Sequence, residues 1–96
     1  MPYIERGGAR IFYSVTGQGP AVLLSHGFSA TSAMWAGQIA AFRARYKIIT
    51  WDMLGHGQSD SPDIPALYTV DGTVADMVAI LDACGVDKAV LGGHSL

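Results

Sequence analysis

The chain has 96 residues, half of them apolar and 15% charged, with a formal net charge of −2. Its Lys and Arg residues are scattered, so no basic patch selects nucleic acid or an anionic membrane surface as a partner. No apolar stretch approaches the roughly 18 residues that cross a bilayer, and Met1-Pro2-Tyr3-Ile4-Glu5-Arg6 lacks the basic start and apolar run of a leader. The expected compartment is therefore the cytoplasm, in agreement with a single cysteine, Cys84, that has no internal disulfide partner.

Ala9-Arg10-Ile11-Phe12-Tyr13-Ser14-Val15 alternates and is rich in β-branched and aromatic residues, which predicts a strand, with Tyr3-Ile4 as its hairpin partner across Gly7-Gly8. Thr16-Gly17-Gln18-Gly19-Pro20 is a turn cluster. It fails as a dinucleotide-binding loop, because Val22 stands where the third glycine belongs and a strand follows where a helix should begin. Ala21-Val22-Leu23-Leu24-Ser25 is the short unbroken apolar run of a parallel strand covered on both faces, ending at His26-Gly27-Phe28.

From about Ser32 to Arg45 the period changes. Trp35, Ile39, Phe42 and Tyr46 recur at helical spacing, and Thr31 or Ser32 is placed to cap the start. Lys47-Ile48-Ile49-Thr50-Trp51 is the next strand, closing on Asp52, and an irregular loop runs from Met53 to Pro65. Val74, Met77, Val78, Leu81 and Cys84 form the stripe of a second helix that stops at Gly85, which makes Cys84 a core residue. Gly72 and Thr73 leave its start open, and Val86 to Leu91 is the last strand. The fold class is thus α/β: an antiparallel hairpin leading into a parallel sheet with helices on both faces. At this length the chain has the composition of a piece of a larger domain.

Ligands of open parallel sheets bind beyond the carboxyl ends of the strands. Three such ends carry irregular glycine-bearing turns: His26-Gly27-Phe28, then Asp52-Met53-Leu54-Gly55-His56-Gly57-Gln58-Ser59, then Gly93-His94-Ser95. Gly93-His94-Ser95-Leu96 supplies four letters of the pattern Gly-x-Ser-x-Gly, in which a strained strand-to-helix turn lifts a serine out of the sheet.

Together these motifs, in this order, resemble the N-terminal part of an α/β-hydrolase of the serine-nucleophile branch, a resemblance that covers essentially all 96 residues. It implies that residues 1–96 are an incomplete α/β-hydrolase core domain ending at the nucleophile elbow. Carried over by position, Ser95 is the nucleophile, and the backbone amides of Phe28 and Leu96 form the oxyanion hole. His26, Gly27, Asp52, Gly93 and His94 support the loops, with Gly27 letting the backbone at Phe28 turn its amide toward the site.

The family's base and acid follow the elbow in the order Ser, acid, His, so His26, His56 and His94 are expected to be structural. Asp52 and Ser59 are expected to fix their loop. No compact ligand pair suggests a metal, and no cofactor is implied. In the family, haloalkane dehalogenases and most epoxide hydrolases carry aspartate at the elbow, so Ser95 points to a small-molecule acyl substrate: carboxylester, thioester or lactone hydrolysis, hydrolysis of a carbon–carbon bond next to a carbonyl, or perhydrolysis of the haloperoxidase-like kind. The 96-residue chain alone is expected to be inactive. A non-catalytic small-molecule-binding relative, or an inactive remnant, is the alternative, which the sequence downstream of Leu96 decides.

Overall fold

The computed structural model describes residues 2–94. The chain opens with the expected hairpin, β1 (Tyr3–Arg6) against β2 (Ala9–Thr16), in which Tyr3 faces Phe12 and Arg6 faces Ala9. β3 (Ala21–Ser25) and β4 (Lys47–Trp51) follow, and β5 (Ala89–Gly93) closes a five-stranded sheet of order β1-β2-β4-β3-β5. β2 runs antiparallel to β4, whereas β3 is parallel to both β4 and β5. Register aligns the carboxyl ends of the three parallel strands: Ser25 lies beside Trp51 on one side and Gly93 on the other.

Because side chains alternate along a strand, the apolar runs divide between two faces. Ile11, Leu23, Ile49 and Trp51 form the core on one face, where Ile80 of helix α2 (Val70–Ala83) is fully buried among them. On the other face Val22, Leu24 and Ile48 line an open cavity with Phe42 and Tyr46, and a 3₁₀ turn over Ser32–Trp35 packs on β3 and β4. Helices therefore cover both faces.

The first helical region is shorter than its periodicity suggests. A 3₁₀ turn over Ser32–Trp35, started by Thr31 Oγ1 accepting from the Ala33 amide at 3.2 Å, leads into α1, which spans only Ala36–Phe42. It stops because the amides of Arg45 and Tyr46 both turn back to the Phe42 carbonyl and the next residues pack against the turn at Gly17 and Gly19. A Cβ at Gly17 would collide with the Arg43 and Tyr46 carbonyls, and one at Gly19 with the Arg45 carbonyl. Close backbone approach, not a nucleotide, accounts for these two glycines.

Helix α2 starts earlier and presents a different stripe from the one its valines suggest. Thr69 Oγ1 accepts from the Gly72 amide at 2.9 Å and caps it. Met77, Ile80, Leu81 and Cys84 face the core, while Val74 and Val78 are each 52% exposed. The helix is turned by Asp76, a buried carboxylate gripped by Arg6 of β1: Nε to Oδ1 at 2.6 Å and Nη2 to Oδ2 at 3.1 Å. The same Nη2 reaches the Leu67 carbonyl at 3.0 Å. The hydrogen bond to Asp76 raises the Arg6 pKa above its ordinary value against the opposing effect of burial, so the guanidinium stays charged. At the other end, the amides of Val86 and Gly85 bond the carbonyls of Leu81 and Asp82, both at 3.0 Å, a Schellman closure with Gly85 at φ 67°. This closure takes up Val86, and β5 therefore begins at Ala89 rather than Val86.

Breaking a buried pair from one side strands the remaining charge. Arg6→Met in the complete protein should lower stability by about 3 kcal/mol, the low end of that class. Adding Asp76→Leu should recover part of the loss, as read from urea midpoints of the two variants.

Candidate functional site

The carboxyl ends of β3, β4 and β5 converge on one rim, and His26 ties the first two together. It is 1% exposed. Its Nε2 accepts from the Met53 amide at 2.9 Å, and since an amide can only donate, the ring proton lies on Nδ1, which donates to the Gly27 carbonyl at 2.7 Å. His56 repeats the arrangement in the opposite direction, its Nε2 accepting from the Ser29 amide and its Nδ1 donating to the Leu54 carbonyl, both at 3.1 Å. The two rings lie 4.9 Å apart. Each histidine thus crosslinks the 26–29 turn to the 53–56 loop as a neutral imidazole with both nitrogens engaged. Neither has a nitrogen left to serve as a base or a metal ligand, which gives the expected structural role a specific geometry.

Asp52 braces the same loop from below. Oδ1 accepts from the Ser32 amide at 2.7 Å and Oδ2 from the Gln58 amide at 2.9 Å, joining the start of the first helical turn to the loop after β4. Gly57, at φ 49°, is required there because a Cβ would collide with this carboxylate. Ser59 accepts from the Phe12 amide at 2.8 Å and donates to the Asp52 carbonyl, which locks the loop to β2. The links from Ser59 to β2 and from His56 to Ser29 span 47 and 27 residues, so no local sequence signal announces them.

In the 26–30 turn, the Gly27 carbonyl accepts from Ala30 at 3.1 Å as well as from His26. The left-handed residue is Ser29, at φ 67°, and the turn is held by the Gly27 carbonyl and by His56. The amide of Phe28 donates to nothing among the described residues. Its ring is 76% exposed and stands edge-on to His56 at 5.8 Å. On the neighbouring strand end, the His94 amide bonds the Ser25 carbonyl at 3.3 Å, extending the β3–β5 ladder past Gly93. Ser95 and Leu96 lie outside the described residues. Among the described residues no cluster of three His, Cys, Asp or Glu could hold a metal ion, and no helix is long and apolar enough to cross a membrane. Burial pushes the Cys84 thiol pKa up, with Lys47 opposing, so the thiol stays protonated and inert.

A family model for the alpha/beta hydrolase fold matches residues 20–96. The chain belongs to that family. An epoxide hydrolase of Caballeronia sordidicola is 41% identical over 92 residues, covering 95% of this chain and 28% of its own length. The putative carbamate hydrolase RutD of Azorhizobium caulinodans is 36% identical over 96 residues, covering 100% of this chain and 36% of its own length. The crystal structure of epoxide hydrolase VrEH1 from Vigna radiata matches with a TM-score of 0.90 at 32% identity, over 98% of this chain and 31% of that one. The chain therefore spans roughly a third of the length of these alpha/beta hydrolases.

Asp52 offers a direct test of the brace. In Asp52→Asn one of the two acceptors becomes a donor facing an N–H, which should cost about 1–3 kcal/mol. Hydrogen exchange at Ser32 or Gln58 should accelerate in the complete variant protein; unchanged exchange at both would show that the carboxylate does not hold the loop.

Proposed function

We propose that this chain is the N-terminal part of the core domain of a serine hydrolase acting on esters or other acyl substrates. Ser95 is the nucleophile, and the amides of Phe28 and Leu96 are the oxyanion donors. The carrying observation is the Phe28 amide, free of partners among the described residues, on a turn fixed by His26 and His56 at the rim where β5 leads through His94 to Ser95. A donor already oriented toward developing negative charge pays no reorganisation during the reaction, and one such donor contributes on the order of 100- to 1,000-fold in kcat.

The serine favours acyl chemistry over epoxide opening on chemical grounds. An alkoxide that opened an epoxide would leave a serine ether, with no carbonyl for water to attack, and the enzyme would stop after one event. Attack on an acyl carbon expels the leaving group and gives an acyl-serine, which water then cleaves to regenerate the hydroxyl. The name of one relative, the putative carbamate hydrolase RutD, fits that carbonyl chemistry. The hydroxyl needs a base oriented by a carboxylate. His26 and His56 are both fully engaged, and the family's chain order of Ser, acid, His puts both partners after the elbow, so in this reading the base and acid come from chain beyond Leu96, and residues 1–96 alone should show no turnover.

In the complete protein, Ser95→Ala should keep the fold and abolish both p-nitrophenyl acetate turnover and fluorophosphonate labelling. Phe28→Pro, which deletes the N–H, should lower kcat about 100-fold with little change in KM, while Phe28→Ala keeps the amide and should be much milder. Labelling that persists in the alanine variant at Ser95, or equal losses for the two Phe28 variants with the fold intact, would contradict the assignment.

A further inference from the structure

Gly27 to Ala30 form a β-turn, closed by the Ala30 amide on the Gly27 carbonyl at 3.1 Å. Of its two central residues only Ser29 has a positive φ, 67°, which makes the turn type II, the form that ordinarily has glycine at this third position. For an L-residue such as serine the left-handed region is disfavoured about 5- to 30-fold. The type I form of the same turn carries no such disadvantage and allows the same closing bond. The two forms differ by a flip of a single unit, the peptide between Phe28 and Ser29.

What holds the disfavoured form is His56. Its Nε2 accepts from the Ser29 amide at 3.1 Å, and its Nδ1, donating to the Leu54 carbonyl at 3.1 Å, fixes the ring in that direction. Phe28 and His26 flank the imidazole at 5.8 and 4.9 Å between ring centres. Because N–H and C=O point in opposite directions across a trans peptide, a flip would withdraw the Ser29 N–H and turn the Phe28 carbonyl toward Nε2. Two acceptors would then face each other.

The geometry points to His56 as a positioning residue for the oxyanion site, one that selects the type II form and so fixes which way the Phe28 carbonyl is turned. The role is distinct from that of His26, which grips the Gly27 carbonyl in the preceding peptide, a unit the flip does not turn. It rests on the reading of the Phe28 amide as an oxyanion donor. Phe28 carries both that N–H and the carbonyl that flips, so a change of turn form redirects a dipole beside the place where negative charge develops, and a site no longer preorganised stabilises that charge less.

The experiment uses the complete protein. His56→Phe removes the acceptor and keeps a ring, while Ser29→Val keeps His56 and puts a β-branched residue where the backbone must be left-handed, a conformation such residues avoid. In wild type, cross-relaxation should be strong between Phe28 Hα and the Ser29 amide proton and weak between the two amide protons, as the proton spacings of a type II turn require. Each variant should reverse that pattern and lower kcat on p-nitrophenyl acetate about fivefold or more, with KM changed less than about twofold. Adding Ser29→Gly to His56→Phe should restore the wild-type pattern and most of kcat, because glycine adopts the left-handed region freely. Ser29→Val leaves the ring of His56 in place and keeps the test open if His56→Phe does not fold. A wild-type pattern that persists in both single variants, or a double variant that stays reversed, would overturn the selection of the turn by His56. A reversed pattern with unchanged kcat would overturn the positioning role. Should wild type hydrolyse no ester, the oxyanion reading fails, and the cross-relaxation pattern alone still upholds or overturns the selection of the turn form.

Discussion

The rim of this sheet depends on a buried imidazole with no spare nitrogen. His26 accepts an amide proton from the loop after β4 and returns its own proton to the turn after β3, so two segments with few regular backbone bonds of their own are held at fixed separation. Losing either bond would leave a buried donor or acceptor unpaired, and that penalty is larger than the net gain from making the bond. A second histidine, a buried aspartate and a buried serine add crosslinks to the same loop. The result is a rigid frame built from side chains around an irregular backbone, in which the amide of Phe28 has no partner among the described residues.

The frame stands on a sheet whose two faces are unequally closed. On the α2 face, Ile11, Leu23, Ile49, Trp51 and Ile80 have no exposed surface. Trp51 reaches from that core to the rim, where its Nε1 donates to Ser25 Oγ at 2.9 Å at the base of the His26 turn. Arg6 and Asp76 fix α2 against β1 and, through the Leu67 carbonyl, hold the segment that leads into α2. On the opposite face and at the β5 edge, Phe42, Val90 and Leu91 remain 51%, 64% and 59% exposed. The proteins this chain matches are roughly three times its length.

Strands β2, β3 and β4 are legible in the sequence to within a residue, because alternation or an unbroken apolar run is bounded each time by glycines, proline or a polar turn. Helix ends were less so. The spacing Trp35, Ile39, Phe42, Tyr46 continues past Phe42 without a break, and only the close approach of the Gly17–Gly19 turn ends the helix. The buried stripe of α2 was misjudged because its register is set by a carboxylate: apolar periodicity has no way to score Asp76, whose partner lies 70 residues away. The loop residues were legible as structural by type and by chain order, but their partners were not, since each bond joins segments that meet only after the sheet has formed. The left-handed position falls on Ser29, where the His56 acceptor holds the backbone in a conformation few serines adopt.

The central claim is that the histidine-braced turn presents the Phe28 amide to charge developing beside Ser95. The most direct measurement is the amide proton resonance of Phe28 in the complete protein, recorded before and after reaction with a phosphonate that leaves an anionic oxygen on the nucleophile. The account predicts a downfield shift of that resonance and slower exchange, with the His26 ring proton on Nδ1 in both states. A Phe28 resonance that stays in place while a different backbone amide shifts would contradict it.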